Sequence, residues 1–431
     1  MRIATAAASL LLLAGCAGNV EPLPASFAIR DRTIWAGSNI VVESEAFVGL
    51  ERAPRLRMGS EWLPVERVGD DAFAGRVPST ASGTYAVDIV MDGDPEPLPP
   101  VEVAGMTVAR QYTTQFPAHL QVLPGSGHAT IMGGTLRPGN SSTYTFSFFD
   151  LATGTERPLS HPLYDHRGLR GPGASYRPGV YFGHTSVEPE IAAFRLDGTG
   201  ATPLGEPPID LAEMIMEVGP GRYVRGTGNR VEAPGWSSGF GITDGPVMSH
   251  VARRATFKAQ YTSNAGLPVF SMPDGELAYL LADVVNPAGV DFSLDGELLA
   301  VAEEGYFGPP LNRLRTYRAG DGALVNERTL PAGPFAVAFD PVRPLIYVGL
   351  NASSVGEPRA ASLLVLDRET LETVGDLSTE GSGLTCGDIH ACYKGVIVVS
   401  AEPAVYIAVS YAHPLRSFRF SIPVADQIQL H

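Results

Sequence analysis

The sequence predicts an all-β protein, and three observations carry this prediction. Short runs of alternating apolar and polar residues follow one another from residue 27 onward, which is the period of half-buried strands. Glycine (48) and proline (36) exceed average usage but stay below the level of low-complexity chains, which indicates a folded protein with many tight turns. A strand-turn-strand unit also repeats along the second part of the chain.

Residues 27–105 form the first predicted domain. Short strands that alternate over about 80 residues are typical of an immunoglobulin-like sandwich. The stretches AGSNIVVESEAF (36–47) and VPSTASGTYAVDI (77–89) resemble IPT/TIG-type domains, and this resemblance implies a spacer or an interaction module. Trp35 and Trp62 form either a sugar-binding platform or packing in the core and at the rim.

The second predicted domain, residues 106–431, contains a repeat. PAGVDFSLDGELLAVAEEG (287–305) aligns with PFAVAFDPVRPLIYVGLN (334–351) at one constant offset of about 47 residues, and Pro287 matches Pro334. Hairpin turns are predicted at Gly154, Gly200, Gly245, Gly275, Gly322 and about Leu371. Most of these turns are about 45–50 residues apart, a period that indicates propeller blades.

The last repeat lacks a strand, because the chain nearly ends after LRSFRFSIP (415–423). MTVARQYT (106–113) is predicted to supply it, since closing the ring pairs both edge strands. The count is then seven blades, with six or eight as the alternatives. IDLAEMIMEV (209–218) is the one helix-like stretch, and its end is predicted to be a strand.

LIYVGLN (345–351), LLVLDRETLETVG (363–375) and VDFSLDGELLAVAEEG (290–305) resemble the YVTN-type and lactonase-like seven-bladed propellers. This resemblance implies a binding protein, a scaffold or a lactone hydrolase. The fold alone does not decide among them.

The N-terminus has the layout of an export signal: Arg2, an apolar stretch and the small pair Ala14-Gly15. Leu13-Ala14-Gly15-Cys16 resembles the lipobox of bacterial lipoproteins. The resemblance implies that residues 1–15 are removed, that Cys16 is lipidated and that residues 16–26 are a tether. It also implies a place in the bacterial cell envelope, and Ala17 after the cysteine favours the outer membrane. The alternative is an ordinary signal peptide.

The formal net charge of −15 excludes nucleic acid as a partner, because such a surface repels phosphate. Cys386 and Cys392 are the other two cysteines, and in an exported protein they are expected to form a disulfide. A metal site of Cys386, His390 and Cys392 is the alternative.

Several residues are candidates for catalysis or metal binding. GWSSG (235–239) matches G-x-S-x-G, but no helix follows, so Ser237 is expected in an exposed loop rather than as a nucleophile. His161, Asp165 and His166 are weak metal candidates, with His184 and His250 as further ligands. Charged residues also lie near the predicted strand ends, namely Asp283, Glu303, Glu304, Arg313 and Arg359. Glu303 and Glu304 are neighbours on a strand, so their side chains diverge.

No complete catalytic constellation emerges, and no cofactor is predicted. The sequence therefore favours an envelope lipoprotein whose propeller binds a protein, peptide or glycan partner. One alternative is a metal-assisted hydrolase of a lactone or ester. The other is a structural or assembly component of an envelope complex.

Overall fold

A computed structural model describes residues 26–105 except 92, and residues 173–378 except 185–190, 198–199, 206–211, 213, 228–229, 240–241, 261–265, 305–310, 342 and 351–361. In residues 106–172 and 379–431 it describes the strands alone, as backbone. The described part is all-β, and its one helical turn is the 3-10 segment Glu45–Phe47. No helix in this part is long and apolar enough to cross a membrane.

The first nine strands belong to the N-terminal region. They are β1 (Ala28–Ile29), β2 (Thr33–Trp35), β3 (Asn39–Glu43), β4 (Arg55–Met58), β5 (Glu61–Leu63), β6 (Val65–Arg67), β7 (Ala72–Arg76), β8 (Gly83–Val90) and β9 (Glu96–Ala104). They form two sheets, ordered β1-β3-β7-β6 and β2-β9-β8-β4-β5, in which β2 and β9 run parallel.

A hydrophobic cluster lies between these two sheets. Ile40 and Val42 of β3 contribute to it from one sheet, and Val87 and Ile89 of β8 contribute from the other. In β3 the buried residues alternate with half-buried ones, as the sequence pattern predicts for a strand with one face on a core. Residues 27–105 therefore form a two-layered β-structure.

The next strands are β10 (Thr107–Gln111), β11 (Phe116–Leu123), β12 (His128–Leu136), β13 (Ser142–Asp150), β14 (Thr155–Pro158), β15 (Tyr164–Asp165), β16 (Gly173–Ser175), β17 (Val180–His184), β18 (Ile191–Asp197), β19 (Gly200–Pro203), β20 (Met214–Gly219), β21 (Arg222–Thr227), β22 (Arg230–Ala233) and β23 (Trp236–Gly239). All but β10 are linked in one 13-stranded sheet. The predicted strand at the end of IDLAEMIMEV is confirmed as β20. All six of its residues are buried, because Met214, Met216 and Val218 lie in one hydrophobic cluster and Ile215 lies in another on the opposite face.

The remaining strands are β24 (Ile242–Ser249), β25 (Arg254–Gln260), β26 (Leu267–Ser271), β27 (Leu277–Leu281), β28 (Pro287–Phe292), β29 (Leu298–Glu303), β30 (Arg313–Arg318), β31 (Leu324–Thr329), β32 (Pro334–Phe339), β33 (Leu345–Leu350), β34 (Ser362–Asp367), β35 (Thr373–Ser378), β36 (Val396–Val399), β37 (Ala404–Val409) and β38 (Arg416–Ser421). Strands β24 to β35 form three successive four-stranded antiparallel sheets, β24–β27, β28–β31 and β32–β35. This arrangement is propeller-like.

The repeat predicted between residues 287–305 and 334–351 is confirmed strand by strand. Val290 pairs with Val301, and their counterparts Val337 and Val348 pair in the next sheet. Both first strands also carry a bulge directly after their initial proline. The two sheets are therefore structural copies.

Three of the predicted hairpin turns share one geometry. Gly275, Gly322 and Leu371 have positive φ, and each donates its N–H to the carbonyl oxygen four residues earlier. The prediction of a turn at Gly245 is wrong. Gly245 lies within β24, where its φ of 49° accompanies a bulge between Asp244 and Pro246. The corresponding hairpin turns at Gly235, between β22 and β23.

Gly200 begins β19 and pairs with Asp197, the last residue of β18. Gly154 lies outside the described residues.

Strand β10 completes the last sheet, as the sequence predicts. Its residues pair with β38, from Thr107 with Arg419 to Gln111 with Arg416, and the order of the sheet is β10-β38-β37-β36. We call this the closing sheet. A strand that precedes all the others of the second domain thus joins the strands that follow them, and both edges find a partner.

The N-terminal region packs against the outer strand of the β32–β35 sheet. Trp35 is buried in a cluster that also contains Leu363, Val365 and Leu377. The backbone N–H of Asp376 donates to the carbonyl oxygen of Ala36, at 3.0 Å. The two regions therefore share a hydrophobic core.

Candidate functional site

One face of the molecule is built from turns. In each four-stranded antiparallel sheet, the turn between the first and second strands and the turn between the third and fourth strands lie at the same end. Arg254 Nη2 donates to the carbonyl oxygen of Gly320 at 2.9 Å, and Arg368 Nη1 pairs with Asp295 Oδ2 at 2.6 Å. Each contact joins turns of neighbouring sheets. The turns thus form a continuous surface, which we call the turn face.

The turn face carries two exposed aliphatic side chains. Val251 follows β24 and is 64% exposed, and Leu294 follows β28 and is 66% exposed. The two turns touch, since a Cβ placed on Gly296 would lie 2.6 Å from the backbone nitrogen of Ala252 and 3.0 Å from a Val251 methyl carbon. Interaction surfaces are marked by exposed apolar groups that lie together rather than singly, and these two lie on touching turns.

The turn of Leu294 is held rigidly. Ser293 Oγ donates to Asp295 Oδ1 at 2.6 Å, and the N–H of Glu297 donates to the same oxygen at 3.0 Å. Partial burial raises the pKa of Asp295, but these bonds and the bond from Arg368 outweigh it and keep that pKa below its usual value. The carboxylate therefore stays charged and keeps the turn closed at neutral pH.

The arginines of the turn face are used internally. Arg253 donates to the carbonyl oxygen of Met272, Arg318 pairs with Asp321, and Arg343 pairs with Asp340. His250 precedes Val251, and burial lowers the pKa of its imidazole, which favours the neutral form near pH 7. The surroundings of the two aliphatic groups are thus polar and ordered, with no catalytic arrangement of these side chains.

A second cluster lies at the opposite end of the β28–β31 sheet and contains predicted residues. Glu303 is 0% exposed and accepts from Arg313 Nε at 2.7 Å and from Arg315 Nε at 2.8 Å. Its other oxygen accepts the N–H of Val285 at 2.6 Å. Arg315, which is 1% exposed, also pairs with Asp283. The structure thus brings Asp283, Glu303 and Arg313 together.

Arg315 is the member of this cluster that the sequence did not reveal. The strand register explains its position. Arg313 pairs with Glu303 across the sheet, and Arg315 lies two residues further along β30, so its side chain is on the same face. The Glu304 side chain lies beside Gly333, where a Cβ placed on the glycine would be 3.1 Å from Glu304 Oε1. Arg359 lies outside the described residues.

This cluster has a structural role. Both Glu303 oxygens accept hydrogen bonds from protein donors, so the carboxylate joins β29 to β30 and to the chain before β28. The positions of Glu303 and Arg315 are filled in the next sheet by the buried residues Leu350 and Leu364. A sheet of this shape therefore forms without the ion pairs.

Asp291 is a titratable group between two sheets. Its carboxylate accepts the N–H of Phe339 in the neighbouring sheet at 2.8 Å and the N–H of Phe292 at 3.0 Å. Burial raises the pKa of Asp291 to about 7, although these bonds and the charge of Lys258 act in the opposite direction.

Most of the other predicted sites lie where the structure gives no side-chain description. Cys16, Cys386, His390, Cys392, His161 and His166 are outside the described residues. Asp165 and His184 lie in β15 and β17, described there as backbone. Within the described side chains, no three His, Cys, Asp or Glu residues are grouped so as to hold a metal ion.

Ser237 lies on a strand rather than in the expected loop. It belongs to β23, and its hydroxyl accepts from Arg230 Nη2 at 2.9 Å. GWSSG begins at the tight turn of Gly235, and the strand that follows pairs with β22. The strand-turn-helix geometry of a nucleophile elbow is therefore not present at this serine.

The two tryptophans of the N-terminal region differ. Trp35 is buried, so it is not part of an exposed platform. Trp62 is 46% exposed on β5, and the Arg55 guanidinium carbon lies 3.8 Å from its ring centroid. This is a cation–π contact on the outer face of the sheet.

No protein-family model matches the chain, and no curated protein matches it. The β-propeller domain of Cps50 (Swd1) from Myceliophteria thermophila has 10% identity and a TM-score of 0.46, over 74% of this chain and 100% of that domain.

A chain of the mitotic checkpoint complex has 9% identity and a TM-score of 0.48, over 73% of this chain and 95% of that chain. The WD40 domain of Toxoplasma gondii coronin has 10% identity and a TM-score of 0.45, over 75% and 88%. Likenesses of this size carry no conclusion about function.

Proposed function

We propose that this chain is a lipid-anchored protein of the bacterial cell envelope whose second domain binds a protein, peptide or glycan partner without catalysis. The observation that carries the proposal is the pair Val251 and Leu294, two exposed aliphatic side chains on adjoining turns of one rigid face. Binding energy in interfaces is concentrated in a few side chains that lose contact with water, and these two are the exposed apolar groups that the turn face offers for such contacts.

In this proposal, residues 27–105 are an immunoglobulin-like sandwich of the IPT/TIG type and residues 106–431 a seven-bladed propeller. The strand arrangement supports the count. Without β15, the 13-stranded sheet divides into the sets β11–β14, β16–β19 and β20–β23. These join the three separate four-stranded sheets and the closing sheet.

The anchor in this proposal is Cys16, with residues 16–26 as the tether. The pairing of β1 supports the orientation. Ala28 pairs with Glu43, at the end of β3 far from Asn39, whereas Trp35 and Ala36 contact the propeller-like domain near the Asn39 end. The described chain therefore begins at the end of the sandwich that points away from the second domain. A tether there brings the sandwich close to the membrane.

Site-specific photocrosslinking in intact cells tests the binding proposal. A photoreactive residue at position 294 is expected to yield a discrete crosslinked species. Val251→Asp in the same chain is expected to reduce the yield of that species. Leu324 is the matched control, because it is 53% exposed but lies on the outer strand β31. Equal crosslinking from positions 294 and 324 would refute the assignment of the turn face.

The anchor is tested separately with Cys16→Ser. Metabolic labelling with a palmitate analogue is expected to mark the wild type and not this variant, and the variant is expected to leave the membrane fraction. Labelling that persists without Cys16 contradicts the lipobox interpretation.

A further inference from the structure

One equivalent position on the outer strands of the three four-stranded sheets carries a different residue type in each sheet. Tyr279, Asn326 and Gly375 occupy the same register, opposite Val269, Thr316 and Val365 respectively. Tyr279 Oη donates to the carbonyl oxygen of Ala319 at 2.8 Å, and the Asn326 side-chain amide donates to the carbonyl oxygen of Glu369. In both cases the acceptor belongs to a turn of the next sheet, so the side chain latches two sheets together.

Gly375 has no side chain and cannot form such a latch. The space is filled from outside the sheet, since a Cβ placed on Gly375 would lie 2.6 Å from Trp35 Cβ. Trp35 is buried there. The outer strand of one sheet thus accommodates an indole from the sandwich where the other two sheets carry a latch of their own.

The backbone completes this contact. Asp376 and Ser378 of β35 donate their N–H groups to the carbonyl oxygens of Ala36 and Ser79, each at 3.0 Å. Gly37 has a φ of 70°, and a Cβ on it would lie 2.3 Å from the Asp376 carbonyl oxygen. Two glycines, one on each side, therefore allow the close approach of the two chains.

We propose that the outer edge of the β32–β35 sheet is a docking site built for the sandwich of the same chain, and that Trp35 replaces the missing latch to the next sheet. That next sheet is the closing sheet, whose β36 packs against β32 and β33. Its outer strand β10 follows the sandwich directly in the sequence. The sandwich is thus bonded to β35 and covalently joined to β10, on both sides of the junction where the ring closes.

The glycine also selects the place of docking. A tyrosine or an asparagine at this position, as in the β24–β27 and β28–β31 sheets, would occupy the volume that Trp35 needs. Only one of these three outer edges therefore accepts the sandwich.

Hydrogen-deuterium exchange on the full chain tests the proposal with Gly375→Asn and Trp35→Ala. Both variants are expected to reduce protection of the Asp376 and Ser378 amides by about tenfold or more, and to increase exchange in β10 and β38. The matched control is Asn326→Gly, which removes a latch elsewhere. It is expected to leave β10 and β38 unchanged.

Trp35→Phe keeps an aromatic ring at the contact and is expected to retain part of the protection, which distinguishes local undocking from failure to fold. Wild-type exchange in β10 and β38 of the Gly375→Asn variant would overturn the proposal. So would an equal increase of exchange in the β24–β27 sheet, because the effect would then be global.

Discussion

Replacing Glu303 by leucine tests the ion pairs of the β28–β31 sheet. The change leaves Arg315, which is 1% exposed, with Asp283 and Glu327 as its near counter-charges, and their side chains are 67% and 48% exposed. Removing one partner of a buried pair costs about 3–5 kcal/mol, because the other charge stays desolvated. We expect the free energy of unfolding to fall by about this amount.

The double variant Glu303→Leu with Arg315→Leu copies the residues that the next sheet has at these positions, Leu350 and Leu364. Exchanging a buried ion pair for packed apolar residues is often neutral or stabilising by about 1–4 kcal/mol. The N–H of Val285 loses its acceptor, which costs about 1–3 kcal/mol. These terms nearly offset each other, so we expect the double variant to lie within about 2 kcal/mol of the wild type.

Urea denaturation followed by circular dichroism measures both variants against the wild type and Arg315→Leu, as a double-mutant cycle. We expect the double variant to be more stable than the Glu303→Leu single variant. A double variant as unstable as the single one would show that the two sheets are not equivalent at these positions.

Two further predictions concern a turn and a carboxylate. Leu371→Gly relieves a positive φ, worth about 1–2 kcal/mol, but removes a buried side chain worth about 2–5 kcal/mol. Thermal unfolding is therefore expected to show a net loss of stability, and a higher melting temperature would contradict this balance. The pKa of Asp291 is raised from 3.8 to about 7 in the folded state, so the folded protein binds the proton more tightly and stability falls as pH rises from about 4 to 7. Asp291→Asn is expected to flatten this part of the stability profile measured by urea denaturation, and an unchanged slope would show that the group titrates normally.

The sequence predicted the repeated architecture well because each repeat carries its own local pattern. The offset from Pro287 to Pro334 persists through the paired strands, and Gly275, Gly322 and Leu371 turn the chain where expected. The prediction failed at Gly245 because glycine with proline marks a bulge as readily as a turn. Only strand pairing distinguishes the two.

Long-range packing was not predictable from such patterns. The sequence places Trp35 in one domain and Gly375 in another, and nothing local to either residue shows that they meet. The role of Arg315 was not predictable for a related reason. Its partner Glu303 lies on the neighbouring strand, and the strand register, which brings the two together, is not visible in the sequence. Function depends on such contacts, so the site was harder to predict than the fold.

The pairing of β10 with β38 has a consequence for biogenesis. Thr107 of β10 pairs with Arg419 of β38. A segment of about 300 residues must therefore be synthesised and folded before these two strands can pair and complete the ring. Until then β10 presents an unpaired edge, the kind of surface on which partly folded chains associate. Folding of this chain is therefore expected to be slow in its last step and sensitive to truncation near the C-terminus. A chaperone that shields a lone strand would act at this point.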